Sequence, residues 1–146
     1  MPSRALAAAY RSTLYRAEPP EGEIDLRVGA RSPALERALG ARGAVRWGWL
    51  TAENPGSRRL GAPENRARTA RLAAELALLG WRWIPGVAID PRGEWPAEAS
   101  FLVLDPEPAR LAELARSWEQ NAYLEGAVGA RARLRFARAP RRGAGR

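Results

Sequence analysis

The sequence predicts an α+β domain built on an antiparallel sheet. From Val45 to Gly126 the expected elements follow in the order strand, helix, strand, strand, helix, strand, which is the order of the ferredoxin-like split βαβ arrangement. Gly- and Pro-containing turns separate these elements. No linker is long enough to divide the 146 residues into two domains. We therefore expect one domain over residues 1–137 and a basic, disordered tail over residues 138–146.

The N-terminal residues predict a helix and strands that cover the open face of this sheet. A short helix is expected around residues 3–11, followed by strands at 13–17 and 23–28 on either side of a loop with two prolines and a glycine. Ser32 is a favourable N-cap and precedes a proline, so a second short helix is expected over residues 34–39. Helices of this core pack on one face of the sheet, and the N-terminal elements are the available cover for the other.

The first strand of the core leads through a polar loop into the longest helix. Residues 45–51 are rich in β-branched and aromatic side chains, which is typical of a strand. Pro63 suits the start of a helix, with Gly61 or Ala62 as its cap, and Gly80 ends it. Three leucines recur with the spacing of one helix face, namely Leu72, Leu76 and Leu79.

The second half of the core predicts a hairpin and a second helix. Residues 81–89 and 98–104 are the expected strands, and Asp90-Pro91-Arg92-Gly93 matches the preferences of a type I turn. Asp105 is expected to cap the helix that follows. The helix carries apolar residues on one face, namely Leu111, Leu114 or Ala115, and Trp118. Two further strands are expected at 121–126 and 131–136, and the second alternates basic and apolar residues as edge strands do.

The composition excludes several kinds of chemistry. The chain has no Cys and no His, so disulfides, thiolate metal sites, Cys nucleophiles, a Ser-His-Asp triad and His-ligated zinc are excluded. Catalysis would have to rest on carboxylates, hydroxyls, carboxamides, arginine or an added metal. We expect no metal site and find no motif for a cofactor. The sequence therefore leans away from an enzyme.

All 24 basic residues are arginines, and the formal net charge is +8. Arginine suits the recognition of carboxylates and phosphates through its planar guanidinium group. Nucleic-acid binding is one interpretation of this charge. The alternative is a compositional bias of a GC-rich coding sequence, which the heavy use of Ala, Gly and Pro also favours.

The six tryptophans include two closely spaced pairs, Trp47-Gly-Trp49 and Trp81-Arg-Trp83. Within a strand, a spacing of two residues places both rings on one face of the sheet. On an open sheet face such rings could stack on nucleic-acid bases. Packing against the N-terminal cover is the other interpretation, and the one we favour.

The loop between the first strand and the long helix is the candidate binding site. Asn54-Pro55-Gly56-Ser57 has the composition of a tight turn. A strand, a turn and a helix start in succession can leave backbone N–H groups free to hold an anion, and Arg58 and Arg59 would add positive charge. The alternative is an ordinary connection with solvated arginines.

Polar residues from distant segments are expected to converge on this loop. Glu98 and Ser100 share one strand face, and antiparallel pairing would bring Glu98 close to Thr51 and Asn54. The candidate ligand-binding residues are Thr51, Asn54, Ser57, Arg58, Asn65, Glu98, Ser100 and Gln120. A buried polar network that holds the loop on the sheet is the alternative to ligand binding.

The same residues carry a resemblance to a known family. The motifs, in chain order, are T-x-x-N-P-x-S at 51–57, Asn65, Trp95, E-x-S-F-L-V at 98–103 and Gln120. In this joint order the chain resembles an uncharacterised bacterial family, domain of unknown function 3293, over about residues 13–136. The family pattern has Phe-Gly-Gln where this chain has Trp118-Glu119-Gln120. Because the family has no assigned activity, the resemblance supplies candidate positions only.

These observations leave three functional hypotheses. The first is a binding module for a small polar or phosphate-bearing, nucleotide-like ligand at the Asn54–Ser57 loop. The second is an accessory protein that binds RNA or DNA through arginines and aromatics. The third is a carboxylate-dependent hydrolase with Glu98 as general base and Asn54 with Arg58 as stabilising groups. No targeting segment or membrane span stands out, so we expect a cytoplasmic protein, with its oligomeric state left open.

Overall fold

A computed structural model describes residues 4–137, and these form a seven-stranded antiparallel sheet with four α-helices. The helices are α1 (Arg4–Ser12), α2 (Pro33–Ala41), α3 (Ala62–Leu78) and α4 (Pro108–Ser117). The strands are β1 (Leu14–Ala17), β2 (Ile24–Leu26), β3 (Arg46–Thr51), β4 (Arg82–Ile89), β5 (Glu98–Leu104), β6 (Ala122–Ala127) and β7 (Arg133–Phe136). The predicted α+β class is confirmed. The predicted tail, residues 138–146, lies outside the described residues.

The sheet has the strand order β2-β1-β4-β5-β3-β6-β7. The four strands predicted for the core lie together at its centre, and β7 is an edge strand as predicted. The expectation that β1 and β2 cover a face of the sheet is wrong. They extend the sheet instead, because β1 pairs with β4 and thereby satisfies backbone groups that would otherwise form an edge. A curled sheet of seven strands is not a simple ferredoxin-like fold.

Apolar side chains pack on both faces of the sheet. On one face, Leu72 and Leu76 of α3 pack with Leu111 of α4 and with residues of β3 and β5. On the other face, Leu35 and Leu39 of α2 pack against the alternate side chains of β3 and β5, which point to that face. The predicted cover is therefore supplied by α2. No helix among residues 4–137 has both the length and the apolar composition needed to cross a bilayer.

The tryptophan pairs belong to these two apolar layers. Trp47 and Trp49 are each 3% exposed and lie on the α2 side of the sheet. Trp83 lies on the opposite face, where its ring makes an edge contact with Phe101 at 5.8 Å between centroids. Trp81 precedes β4 and packs against the same layer. Packing against the N-terminal cover, the interpretation we favour, is confirmed for Trp47 and Trp49. It is wrong for Trp81 and Trp83, which are half-buried and pack on the face that carries α3 and α4.

One predicted cap has a different role. Asp105 does not cap α4, because Glu107 accepts hydrogen bonds from the N–H groups of Ala109 and Arg110 at the start of that helix. The Asp105 carboxylate instead accepts from Val45 N and Arg46 N, at 2.9 and 2.8 Å. Asp105 therefore ties the start of β3 to the end of β5. The Ser32 cap of α2 and the Gly61 cap of α3 are confirmed.

Two glycines within strands make room for the buried tryptophans. A Cβ atom at Gly86 of β4 would collide with the tip of the Trp49 ring and would lie 2.8 Å from the carbonyl oxygen of Arg16. A Cβ at Gly126 of β6 would lie 2.5 Å from Trp47 Nε1. Both rings thus lie across neighbouring strands, and glycine at these positions is required by close packing.

The substitution Gly86→Ala tests this packing. The added methyl group has no space between the Trp49 ring and the backbone of β1, so the free energy of unfolding should fall by about 1–3 kcal/mol in urea denaturation. Gly40→Ala is the matched control, because a Cβ there meets no atom within 4 Å and the residue is helical. We expect that variant to be unchanged or more stable by about 0.5–1 kcal/mol. Equal losses in the two variants would contradict the packing argument.

Candidate functional site

A cavity of about 280 Å³ lies against the face of the sheet that carries Trp49. One wall is formed by α1, through Leu6, Ala9 and Tyr10. The other walls are formed by residues of β1, β3, β4, β5 and β6 and by the loops that follow β3, β4 and α4. We call it the α1 cavity. Its lining residues are Leu6, Ala9, Tyr10, Thr13, Tyr15, Trp49, Thr51, Asn54, Ser57, Ala88, Asp90, Arg92, Glu94, Trp95, Glu98, Gln120, Asn121, Ala122, Tyr123 and Leu124.

Asn54 fixes the loop that borders this cavity. It is 4% exposed and has a left-handed backbone conformation, with φ 49°, which asparagine tolerates better than most residues. Its backbone N–H donates to Asn65 Oδ1 at 3.0 Å, and its Oδ1 accepts from Leu60 N and Asn65 Nδ2, both at 2.9 Å. Its Nδ2 donates to Glu98 Oε2 at 2.7 Å. The side chain therefore joins the loop to α3 and to β5.

Glu98 is the central acidic group of the site. The pairing of Thr51 with Ser100 sets the end of β3 beside the start of β5, so the predicted approach of Glu98 to Asn54 is confirmed. Trp95 Nε1 donates to the same oxygen, Oε2, at 2.9 Å. Among the described residues none donates to Oε1. Burial raises the pKa of Glu98, and the hydrogen bonds from Asn54 and Trp95 oppose that rise.

The turn after β3 does not present a row of free N–H groups. Four of them donate to acceptors within the protein, namely those of Gly56, Ser57, Arg58 and Leu60. The Arg58 side chain is exposed and does not line the α1 cavity. The Arg59 guanidinium lies 4.7 Å from the centre of the Trp95 ring and donates to the Glu94 carbonyl. The prediction that backbone N–H groups of this turn are free to hold an anion is therefore wrong for these four groups.

The candidate residues from the sequence fall into three groups. Those that line the α1 cavity are Thr51, Asn54, Ser57, Glu98 and Gln120. Asn65 is buried and does not line the cavity; its side chain contacts Asn54. Ser100 is also buried, and its hydroxyl group donates to the Glu98 carbonyl. Arg58 lies outside. Gln120 Nε2 donates to the carbonyl oxygens of Glu53 and Trp118, and no described residue donates to Gln120 Oε1.

Sequence reasoning missed the aromatic part of the site. Tyr10, on the last turn of α1, hydrogen-bonds Ser57, and burial raises the pKa of Tyr10 to about 12. The Tyr15 hydroxyl donates to the Tyr10 carbonyl at 3.2 Å. Trp49 lines the cavity, and its buried Nε1 has no hydrogen-bond acceptor among residues 4–137. No local pattern identifies Tyr10, because its position depends on where the N-terminal helix packs.

The α1 cavity is acidic although the chain is basic. Asp90, Glu94 and Glu98 line it together with one arginine, Arg92. The Asp90 carboxylate accepts from the backbone N–H groups of Arg92, Glu94 and Trp95 and so closes the turn between β4 and β5. Within residues 4–137, no three His, Cys, Asp or Glu side chains are grouped so as to hold a metal ion.

The family described as protein of unknown function (DUF3293) matches residues 50–123 of this chain, which is half of its length. The chain belongs to this family, and the resemblance seen in the sequence is confirmed. No curated protein and no solved structure matched the chain. The matched segment contains Asn54, Glu98 and Gln120, whereas Tyr10 and Trp49 lie outside it.

Glu119 lies in the turn between α4 and β6. Its φ is 58°, in the left-handed region that costs a residue with a Cβ about 1–2 kcal/mol. Glu119→Gly should therefore raise the free energy of unfolding, by about 1 kcal/mol at most because glycine also gains freedom in the unfolded chain. Glu113→Gly, within α4, is the matched control and should lose about 1 kcal/mol. A decrease in the free energy of unfolding for Glu119→Gly, measured by urea denaturation, would contradict the argument that the backbone is strained at this turn.

Glu98→Gln tests the buried carboxyl group through the pH dependence of stability. Burial raises the pKa of Glu98 in the folded protein above its ordinary value of 4.5, so the folded state keeps a proton that the unfolded chain releases. The carboxyl group thus contributes stability that is fully present below the unfolded-state pKa and is lost as pH rises through the folded-state pKa. The free energy of unfolding of the wild type, minus that of Glu98→Gln, should fall as the pH rises above 4.5 and through the folded-state pKa of Glu98.

Urea denaturation of both proteins at each pH measures this difference. The pKa of Glu53 is also raised, mainly by burial and in smaller part by the charge of Glu98. Glu53 is present in both proteins, so the part due to burial cancels and only the part due to Glu98 remains in the difference. A difference that stays constant or grows with pH is the result that would refute a raised pKa for Glu98.

Proposed function

We propose that this protein binds a small polar molecule in the α1 cavity. One observation carries the proposal: Glu98 is held by Asn54 and Trp95 through a single carboxylate oxygen, while the other oxygen has no donor among the described residues. Such a carboxylate in the wall of a cavity is positioned to accept a hydrogen bond from a ligand.

Some polar atoms around the cavity are bonded within the protein, and others have no hydrogen-bond partner among the described residues. The Asn54 side chain has its donor and acceptor engaged by other residues of the protein, so the network alternative accounts for Asn54 and Asn65. Glu98 Oε1 and Gln120 Oε1 can each still accept a hydrogen bond. This division supports ligand binding at Glu98 and Gln120, with Asn54 as the residue that positions Glu98.

The charges of the cavity bear on the kind of ligand. A phosphate group on the Asn54 turn is disfavoured, because the N–H groups there already donate within the protein and Arg58 lies outside the cavity. The engaged Asn54 amide also weakens the hydrolase hypothesis, which needed that amide for a reacting group. The nucleic-acid hypothesis loses its stacking surface, since Trp47 and Trp49 are buried and Trp83 packs on Phe101.

The same proposal includes an architecture for the binding module. The central strand order β4-β5-β3-β6, with α3 and α4 on one face, supports a ferredoxin-like unit extended at both edges. In this arrangement the extension supplies α1, and therefore one wall of the cavity.

The test begins with freshly purified full-length protein. Native mass spectrometry should detect a bound small molecule, or a panel of small polar metabolites should raise the melting temperature with one chemical class. Glu98→Gln should remove most of that shift, and so should Asn54→Ala, which releases Glu98. Glu113→Gln, which replaces an exposed carboxylate on α4, is the control and should keep the shift. If no molecule copurifies and the panel produces no shift, the proposed function is wrong.

A further inference from the structure

We propose that the ligand of the α1 cavity is a flat nitrogen heterocycle with an amino group, bound through its base and not through a phosphate. This inference rests on the proposed function and names its ligand class. The chain has a formal charge of +8, yet the charged residues that line the cavity are three carboxylates, Asp90, Glu94 and Glu98, and one guanidinium, Arg92. This charge distribution favours a ligand that donates N–H groups over an anion.

Two unsatisfied acceptors on residues that line the cavity define the hydrogen bonding. Glu98 Oε1 and Gln120 Oε1 each lack a donor among the described residues. An amino-substituted heterocycle supplies N–H donors for such acceptors, and its planar ring packs against the aromatic side chains of the wall.

The walls and size of the cavity favour a flat molecule of one ring or two fused rings. Tyr10, Tyr15, Trp49 and Trp95 are among the lining residues, and aromatic side chains pack well against planar ligands. A volume of about 280 Å³ is at the lower end of the range for ligand pockets. A ligand with a sugar and several phosphates would extend out of it.

The experiment compares matched probes on the full chain by isothermal titration calorimetry. The pairs are adenine with purine and 4-aminopyrimidine with pyrimidine, which differ only in the amino group, and benzoate is the planar anion. In at least one pair the amino member should bind about tenfold or more tightly than its partner, because it adds a hydrogen bond to a Glu98 oxygen that otherwise lacks a donor. Benzoate should bind most weakly. Glu98→Gln should remove most of the advantage of the amino group, whereas Glu113→Gln should keep it.

The outcomes separate this inference from the proposed function. Ala9 lies on the face of α1 that lines the cavity, so Ala9→Trp should fill the cavity and abolish binding of every probe. If purine or benzoate binds as well as adenine and Ala9→Trp abolishes it, the cavity binds small molecules but the ligand class is wrong. The same holds if no probe binds while another molecule copurifies in the cavity. Adenosine monophosphate that binds tenfold more tightly than adenosine, with Arg92→Ala removing the gain, would overturn recognition without phosphate. If nothing binds or copurifies, both proposals fail.

Discussion

The packing of Trp49 across the sheet is the constraint on which both the core and the cavity depend. Its ring starts from β3, passes over β5 and reaches β4 at Gly86, where any side chain would collide with it. The β5 residue that pairs with Gly86 is Ser100, whose side chain is also small. The small size of the Ser100 side chain is therefore explained by this packing. One side of the indole contacts the apolar layer that α2 closes, and the residue also lines the α1 cavity, so the core and the site share a wall.

The hydrogen bonds of Asn54 turn this shared wall into a defined site. A loop of polar residues beside a sheet would ordinarily be mobile, because few apolar contacts hold it. Here Asn54 bonds to α3 through Asn65, to its own loop through Leu60 and to β5 through Glu98. With these bonds in place, Glu98 is held in one orientation before any ligand arrives. Such preorganisation lowers the entropy cost of binding.

The parts predicted from the sequence are those governed by local signals. The Ser32 cap, the Gly61 start of the long helix and the strand Glu98–Leu104 follow from residues within one turn or one strand, and the structure has them as expected. The approach of Glu98 to Asn54 was also predictable, because the direction of paired strands follows from the order of elements. The pairing of β1 with β4 could not be predicted, because a strand of four residues carries no signal that identifies its partner strand. The roles of Asp105 and Tyr10 likewise depend on contacts made far along the chain.

The contrast between a basic surface and an acidic cavity separates two kinds of interaction. The formal charge of +8 is made by arginines, and among the arginines of residues 4–137 only Arg92 lines the α1 cavity. Attraction of an anionic polymer to surface arginines is screened by salt and depends little on any one position. The proposed recognition of a ligand by Glu98 would depend on a half-buried group with fixed partners, which salt screens far less. A polyanion on the surface and a small molecule in the cavity would therefore respond differently to ionic strength. Weak, salt-sensitive association with nucleic acid would follow from the composition alone and would carry no information about the site.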